Sequence, residues 1–299
     1  MKELGRLLTA MVTPFDDKGE VDYEQAKRLA LALLSSGSDG VVVVGSTGES
    51  PTLVRKEELH LFREIKEAVG GWGSVIAGTG SNSTAEALEA TKGAEKIGVD
   101  ACLLVVPYYN KPTQEGLYQH FKIIAESTSL PCILYNVPSR TVVNLSADTV
   151  IRLSQVKNII GIKEASSNLE QISKIISDAR KGFLVWSGND SETIPIMALG
   201  GYGVISVAAH LVGKQMKQMM DSFLKGNRQE AVEIHNRLLP LFNALFILSN
   251  PIPVKFALNQ VGFRVGKPRL PLTEPDEKTA AAIKNVLKNF KIDLPVNPE

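Results

Sequence analysis

Eight short runs rich in Val, Ile and Leu recur along the chain up to Val207, and each is closed by Gly, Pro, Ser or Asn. A stretch with helical periodicity follows each run. Continuous apolar runs are typical of strands covered on both faces, as in a parallel sheet surrounded by helices. The predicted strands are residues 8–12, 40–44, 74–77, 101–106, 131–135, 159–163, 183–186 and 203–207.

The stretches between the runs have the ends and periodicity of amphipathic helices. Asp22 precedes Gln25 at the spacing of a capping box, and Gly37 is placed to end the same helix. Eight strand-helix units of this size predict an α/β fold, the (β/α)8 TIM barrel. A doubly wound sheet is the alternative, but no topological switch point is apparent.

The pattern changes after residue 225. From Gly226 onward only helical signals remain, over residues 231–248, 253–261 and 276–290. The sequence therefore predicts two domains: a catalytic barrel over residues 1–225 and a C-terminal appendage of three helices over residues 226–299.

Charge and cysteine content narrow the class of protein. A formal net charge of +1, with 44% hydrophobic and 22% charged residues, gives no reason to expect nucleic acid or a membrane surface as partner. No apolar run reaches transmembrane length, and the first residues do not resemble a signal peptide. Cys102 and Cys132 lie in apolar runs without metal or redox spacing, so we expect reduced thiols in a cytoplasmic protein.

One lysine stands in an apolar strand pattern, between Ile162 and Ala165. Ammonium groups are almost never fully buried unless paired, so Lys163 allows two interpretations. It is either a lysine on an edge strand that reaches solvent, or a desolvated amine whose lowered pKa lets it attack a carbonyl and form a Schiff base.

Other polar groups follow the predicted strands, at the end where barrel enzymes build their active sites. The turn at residues 45–50 offers backbone N–H groups and hydroxyls suited to a carboxylate or a phosphate. Tyr135 is suited to acid/base catalysis and Arg140 to binding a second carboxylate, although each could instead be a core aromatic or a solvated charge. The four histidines lack metal-binding spacing, so no metal is expected. Together these groups suggest enamine chemistry on a 2-oxo acid.

Five motifs carry a resemblance to a known family: GSTGES at 45–50, PYYNKPTQEGLYQHF at 107–121, ILYNVPSRT at 133–141, GIKEAS at 161–166 and GVISV at 203–207. In this order they resemble the 4-hydroxy-tetrahydrodipicolinate (dihydrodipicolinate) synthases, which are pyruvate-dependent class I aldolases related to N-acetylneuraminate lyase. The likeness covers essentially the whole chain, including the motif NPIPVK at 250–255.

The resemblance implies four catalytic residues. Lys163 matches the lysine that forms an imine with pyruvate, and Tyr135 matches the tyrosine of the proton relay. Tyr109 matches a second tyrosine that reaches across a dimer interface, and Ser46 matches the hydroxyl residue between the two tyrosines. The family needs no dissociable organic cofactor, because the imine on the lysine serves that purpose.

The resemblance also implies the substrates and their binding residues. Thr47 matches the residue that binds the pyruvate carboxylate, with Ile205 and Gly188 lining that pocket. Arg140 matches the residue that receives the carboxylate of L-aspartate 4-semialdehyde. The family condenses these substrates in diaminopimelate and lysine biosynthesis, usually as a homotetramer. We further expect Ile162, with Ile205, to bury the imine carbon and keep the lysine unprotonated.

Ser46 departs from the threonine that many synthases carry, and serine is also common in the N-acetylneuraminate lyase branch. An N-acetylneuraminate or 2-keto-3-deoxy sugar acid lyase is therefore the first alternative, which Arg140 disfavours. A non-catalytic 2-oxo acid sensor on the same barrel is the second. Retention of the lysine, the two tyrosines and the hydroxyl argues against a sensor.

A possible regulatory site is implied by the same comparison. Asn82, Glu86 and Tyr108 match lysine-binding residues of feedback-inhibited members, whereas the histidines of those members fall at Arg55 and Glu58 here. We therefore expect weak or absent inhibition by lysine.

Overall fold

The computed structural model describes residues 3–296, and in that part of the chain eight parallel strands close into a barrel in sequence order. Residues 1, 2 and 297–299, at the outer ends of the two predicted domains, lie outside the described residues. The strands are β1 (Leu7–Ala10), β2 (Gly40–Val43), β3 (Ser74–Gly78), β4 (Ala101–Val105), β5 (Cys132–Asn136), β6 (Ile159–Glu164), β7 (Leu184–Ser187) and β8 (Gly203–Ser206).

Helices follow the strands and cover the outside of the barrel, so the predicted (β/α)8 fold is confirmed and the doubly wound sheet is wrong. The helices of the described chain are α1 (Tyr23–Ser35), α2 (Arg55–Val69), α3 (Thr84–Ile97), α4 (Gln114–Glu126), α5 (Pro138–Thr141), α6 (Ala147–Leu153), α7 (Leu169–Asp178), α8 (Thr193–Ala198), α9 (Ala209–Leu224), α10 (Arg228–Ala244), α11 (Ile252–Gln260) and α12 (Glu277–Leu287). Short 3₁₀ turns cover Ser50–Thr52 and Asp190–Glu192.

Two apolar clusters explain why the strand sequences are apolar without interruption. Alternate side chains point to opposite faces of a strand, so every strand supplies both clusters. Leu8, Ile133 and Ile205 belong to the cluster inside the barrel. Leu7 and Leu134 belong to the larger cluster between the strands and the helices. Each strand is thus buried on both faces, and the pairing of β1 with β8 closes the sheet.

The start of α1 differs in part from the prediction. The Asp22 side chain accepts a hydrogen bond from the Gln25 backbone N–H, as predicted for the helix cap. The Gln25 side chain does not return to the cap but donates to the backbone carbonyl of Arg264, at 2.6 Å. The prediction of a complete capping box was therefore wrong, because the side-chain amide of Gln25 is engaged in this contact with a distant part of the chain.

Three helices follow the barrel, as predicted. Helix α10 packs against α9, and α12 packs against both α10 and α11. The division into domains at residue 225 stays a prediction. Among the described residues, none of the helices combines the length and apolar composition needed to cross a bilayer. Cys102 and Cys132 are buried and unpaired.

Candidate active site

Lys163 lies inside the barrel, near the C-terminal end of β6. Its strand pairs with β5 on one side and β7 on the other, and its register partners are Tyr135 and Trp186. The residue is 5% exposed, and its Nζ lies 4.4 Å from the centroid of the Tyr135 ring. Because β6 is not an edge strand, the interpretation of Lys163 as a lysine on an edge strand is wrong.

The surroundings of Lys163 favour its neutral form. Burial, together with the positive charge of Arg140, lowers its pKa from an ordinary 10.5 to about 8, against the opposing effect of the Asp190 carboxylate. At pH 7 a pKa of about 8 leaves roughly one amine in ten neutral, against about one in three thousand at the ordinary value. The site therefore supplies an amine nucleophile near neutral pH.

Asp190 is the carboxylate that opposes this shift, and the sequence analysis did not single it out. It is 2% exposed and sits in the turn after β7. One oxygen accepts from the Ser206 hydroxyl at 2.5 Å, and the other accepts from the backbone N–H groups of Val207 and Ala208. Burial raises the pKa of this carboxyl group, whereas the three donors and the positive charge of Lys163 oppose the rise and so favour its charged form.

Tyr135 and Ser46 form the second part of the site. Burial raises the pKa of the Tyr135 phenol, and the positive charge of Arg140 and the nearby side chain of Ser46 partly offset that rise. The phenol is thus protonated at neutral pH and lies beside an amine and a hydroxyl. This arrangement suits a group that passes a proton and takes it back.

Thr47 and Arg140 are joined by a residue that the sequence analysis did not select. The side-chain amide of Asn250 donates to the Thr47 hydroxyl at 2.8 Å, and Arg140 donates to the backbone carbonyl of Asn250 at 2.8 Å. Asn250 is 5% exposed and precedes α11. Its place in the NPIPVK motif could have marked it as a candidate site residue. Its hydrogen-bond partners could not be inferred from the sequence, because they lie far away along the chain.

A cavity of about 460 Å³ collects most of the predicted residues. Thr47, Tyr135, Arg140, Lys163 and Gly188 all line it. Residues 246–248, which are apolar and exposed, also line it. Its size suits small-molecule substrates.

Gly188 is required by the space around the lysine. A Cβ atom at this position would lie 2.7 Å from the Ala165 Cβ and 3.3 Å from the Lys163 Cε. Ile205 is fully buried inside the barrel but is not among the residues that line this cavity, so its place in the pyruvate pocket stays a prediction. Ile162, however, belongs to the outer cluster between strands and helices, so its expected place beside the imine carbon was wrong.

Ser46 and Tyr109 are not among the residues that line this cavity. Ser46 lines a neighbouring cavity of about 310 Å³, which Arg140 also borders. Tyr109 lines neither cavity; it is 90% exposed and has a left-handed backbone, with φ of 73°. Its role across a subunit interface stays a prediction.

The predicted regulatory residues lie near one another, outside the barrel. Ser81 donates a hydrogen bond to the Glu86 carboxylate at 2.8 Å and shares another with the Tyr108 side chain. Asn82 accepts from the Asn110 side chain through its backbone carbonyl.

At the positions of the missing histidines, Arg55 and Glu58 form an ion pair. Arg55 also donates to the backbone carbonyl of Glu86. Within residues 3–296, no group of three or more His, Cys, Asp or Glu side chains is placed to hold a metal ion.

Comparison with known proteins agrees with this geometry. Residues 3–290 match the dihydrodipicolinate synthetase family. A 4-hydroxy-tetrahydrodipicolinate synthase from Dehalococcoides mccartyi is 66% identical over 296 residues, which cover 99% of this chain and 100% of that relative.

Solved structures give the same result. A dihydrodipicolinate synthase from Bacillus anthracis has a TM-score of 0.95 and 45% identity, covering 97% of this chain and 100% of the other. A relative from Cyanidioschyzon merolae, solved with lysine bound, has a TM-score of 0.94 and 48% identity over 96% of this chain and 98% of its own. The chain therefore belongs to the dihydrodipicolinate synthetase family.

Proposed function

We propose that this chain condenses pyruvate with L-aspartate 4-semialdehyde to give 4-hydroxy-tetrahydrodipicolinate, in lysine and diaminopimelate biosynthesis. The observation that carries the proposal is the buried amine of Lys163, which faces Tyr135 in a cavity of substrate size at the C-terminal end of the barrel. Similarity at 66% identity to a synthase of that name supports the choice of reaction.

The reaction begins with the neutral amine of Lys163 attacking the ketone carbon of pyruvate. Loss of one water gives the imine, while Thr47 binds the pyruvate carboxylate. Tyr135 lies against the Lys163 amine and interacts with the side chain of Ser46, so it is placed to move the protons of these steps. No organic cofactor or metal is needed, because the protonated imine itself withdraws electrons from the methyl group.

Carbon–carbon bond formation follows. Loss of a methyl proton through Tyr135 converts the imine to an enamine, which attacks the aldehyde carbon of the semialdehyde. Arg140 binds the carboxylate of that substrate at the mouth of the cavity. The amine of the substrate then attacks the imine carbon, closes the ring and releases Lys163, so that one water is the only other product.

Borohydride trapping tests the first step. Incubation with pyruvate and borohydride is expected to leave a reduced pyruvate adduct on Lys163, and Lys163→Ala is expected to abolish it. Lys255 is an internal control, since burial lowers the pKa of this second lysine to about 8 as well. It is already engaged with Glu49, so peptide mapping should find it unmodified.

Turnover tests the second substrate. Activity is measured with pyruvate and L-aspartate 4-semialdehyde through a coupled NADPH-dependent reductase, beside pyruvate with N-acetylmannosamine. Turnover with the semialdehyde alone is expected. Trapping on Lys163 without that turnover would support the aldolase chemistry but contradict the semialdehyde as second substrate. Absence of trapping would contradict the imine mechanism.

The remaining parts of the proposal concern assembly and location. Tyr109 is proposed to complete the proton relay in a neighbouring subunit of a homotetramer, which fits its 90% exposure and its absence from the lining of the two cavities described above. A cytoplasmic location is proposed from the two free, buried cysteines.

Weak or absent inhibition by lysine is also proposed. The Arg55–Glu58 ion pair occupies the positions of the histidines and places a cation beside Glu86, where a lysine ligand would bring its own positive charge. Titrating lysine into the assay should leave activity nearly unchanged, and strong inhibition at cellular lysine concentrations would contradict this.

A further inference from the structure

The turn that carries Ser46 and Thr47 has an unusual backbone. It runs from Val44 to Glu49, and both end residues have left-handed φ values, 61° and 58°. That conformation is uncommon for any residue with a side chain and an outlier for a β-branched one such as valine. Such a turn persists only where its surroundings hold it.

A buried ion pair holds the far end of this turn. The Glu49 side chain is 0% exposed, and its two carboxylate oxygens accept from the Lys255 ammonium at 2.8 Å and from the Arg269 backbone N–H at 2.9 Å. The ammonium also donates to the carbonyl of Lys267 at 3.1 Å and lies 4.0 Å from the centroid of the Phe15 ring. All of the polar atoms of the pair are thus engaged.

This pair differs from the other ion pairs of the described chain. Its side chains are 1% and 0% exposed, whereas the next most buried carboxylate in such a pair is 11% exposed. A fully buried pair is a poor source of stability, because desolvation offsets the attraction between the charges. It is better suited to fixing one arrangement of two segments.

The segments that it joins are the turn and the C-terminal helices, 206 residues apart in sequence. The same stretch contacts the turn a second time, through the hydrogen bond from Asn250 to Thr47. Within the turn, the Glu49 backbone N–H donates to the Ser46 carbonyl at 3.2 Å. Displacement of Glu49 would therefore move both hydroxyl residues.

We infer that Glu49 and Lys255 are positioning residues, which hold Ser46 and Thr47 where pyruvate binds although neither touches the reacting atoms. The inference rests on the proposed imine chemistry at Lys163. It predicts that loss of the pair weakens pyruvate binding more than it lowers the rate at saturation.

The test uses Lys255→Met, Glu49→Gln and the double variant in the full-length protein. The readout is the pyruvate concentration that gives half-maximal borohydride trapping on Lys163, with KM values for both substrates and the Tm. We expect the single variants to raise half-saturation by pyruvate about tenfold or more, with a much smaller change in KM for the semialdehyde.

The double variant separates positioning from stability. It leaves no unpaired buried charge, so its Tm is expected to recover relative to Lys255→Met, while the raised half-saturation remains. The matched control is Lys66→Met, which removes a partly buried pair with Asp100 near the opposite end of the barrel. It should lower the Tm without changing half-saturation.

The inference would be overturned if the folded single variants kept the wild-type half-saturation by pyruvate. It would also be overturned if the Tm and the half-saturation recovered together in the double variant. If Lys255→Met fails to fold, the half-saturation of Glu49→Gln alone tests the inference, because glutamine keeps the shape of the glutamate side chain and one acceptor oxygen. Absence of trapping in the wild-type protein would instead overturn the proposed function.

Discussion

Lys163 destabilises the fold that contains it. Its pKa of about 8, against 10.5 for a free lysine, corresponds to about 3 kcal/mol of unfavourable burial below pH 8. The neutral amine that the proposed imine chemistry requires is therefore obtained at the expense of the stability of the barrel.

Replacing Lys163 by methionine should raise the free energy of unfolding by about 1–3 kcal/mol at pH 7. Because the folded-state pKa is lowered, the wild-type protein gains stability as pH rises from about 8 to about 10.5, so the difference should shrink across that window. Denaturant unfolding at several pH values measures it. A variant less stable than the wild type at pH 7 would contradict the prediction.

Asp190 should set the pH dependence of imine formation. Its charge raises the pKa of Lys163, so Asp190→Asn is expected to lower that pKa and move the trapping profile to lower pH by up to about one unit. Glu192→Gln is the control, because it removes the same charge from the same turn. A profile unchanged by Asp190→Asn would reject this role for the carboxylate.

At the scale of elements, the end of β7 must approach β6 closely. Gly188→Ala would put a methyl group 2.7 Å from the Ala165 Cβ and beside the Lys163 side chain, so one of these must move. We expect at least a tenfold loss of turnover, together with some loss of stability. Gly71→Ala, where a Cβ would meet nothing within 4 Å, should behave like the wild type in both measurements.

The elements themselves were predictable because local sequence determines them. Each strand is a short apolar run closed by a turn residue, and parallel strands in a barrel bring their C-terminal ends to one rim. That geometry was enough to place Lys163, Tyr135 and Thr47 near one another. The fold and the proximity of these three residues thus followed from pattern and topology.

The contacts across the chain were not predictable in the same way. Asn250 reaches Thr47 over 203 residues, and nothing local in either segment encodes that pairing. The two faces of β6 could not be told apart either, because an uninterrupted apolar run has no alternation to mark them. Ile162 was therefore assigned to the wrong side of its strand.

At the scale of the whole molecule, Tyr109 provides a test of assembly. If Tyr109 of the partner subunit completes each site, Lys163→Ala and Tyr109→Ala subunits should restore activity when combined, since one site of the mixed dimer has both residues. Coexpression of differently tagged subunits and assay of the purified hybrid measures this. If the tyrosine acts within its own chain, the hybrid should be no more active than the Tyr109→Ala protein.

The ion pair between Glu49 and Lys255 also bears on when the enzyme becomes active during its synthesis. Chains emerge from the ribosome N-terminus first, and barrel strands β1 to β8 are complete before residue 255 is made. The turn that presents Ser46 and Thr47 lacks its buried partner until then. A positioning role for the pair therefore implies that a nascent chain completes its sheet before its site reaches full affinity for pyruvate.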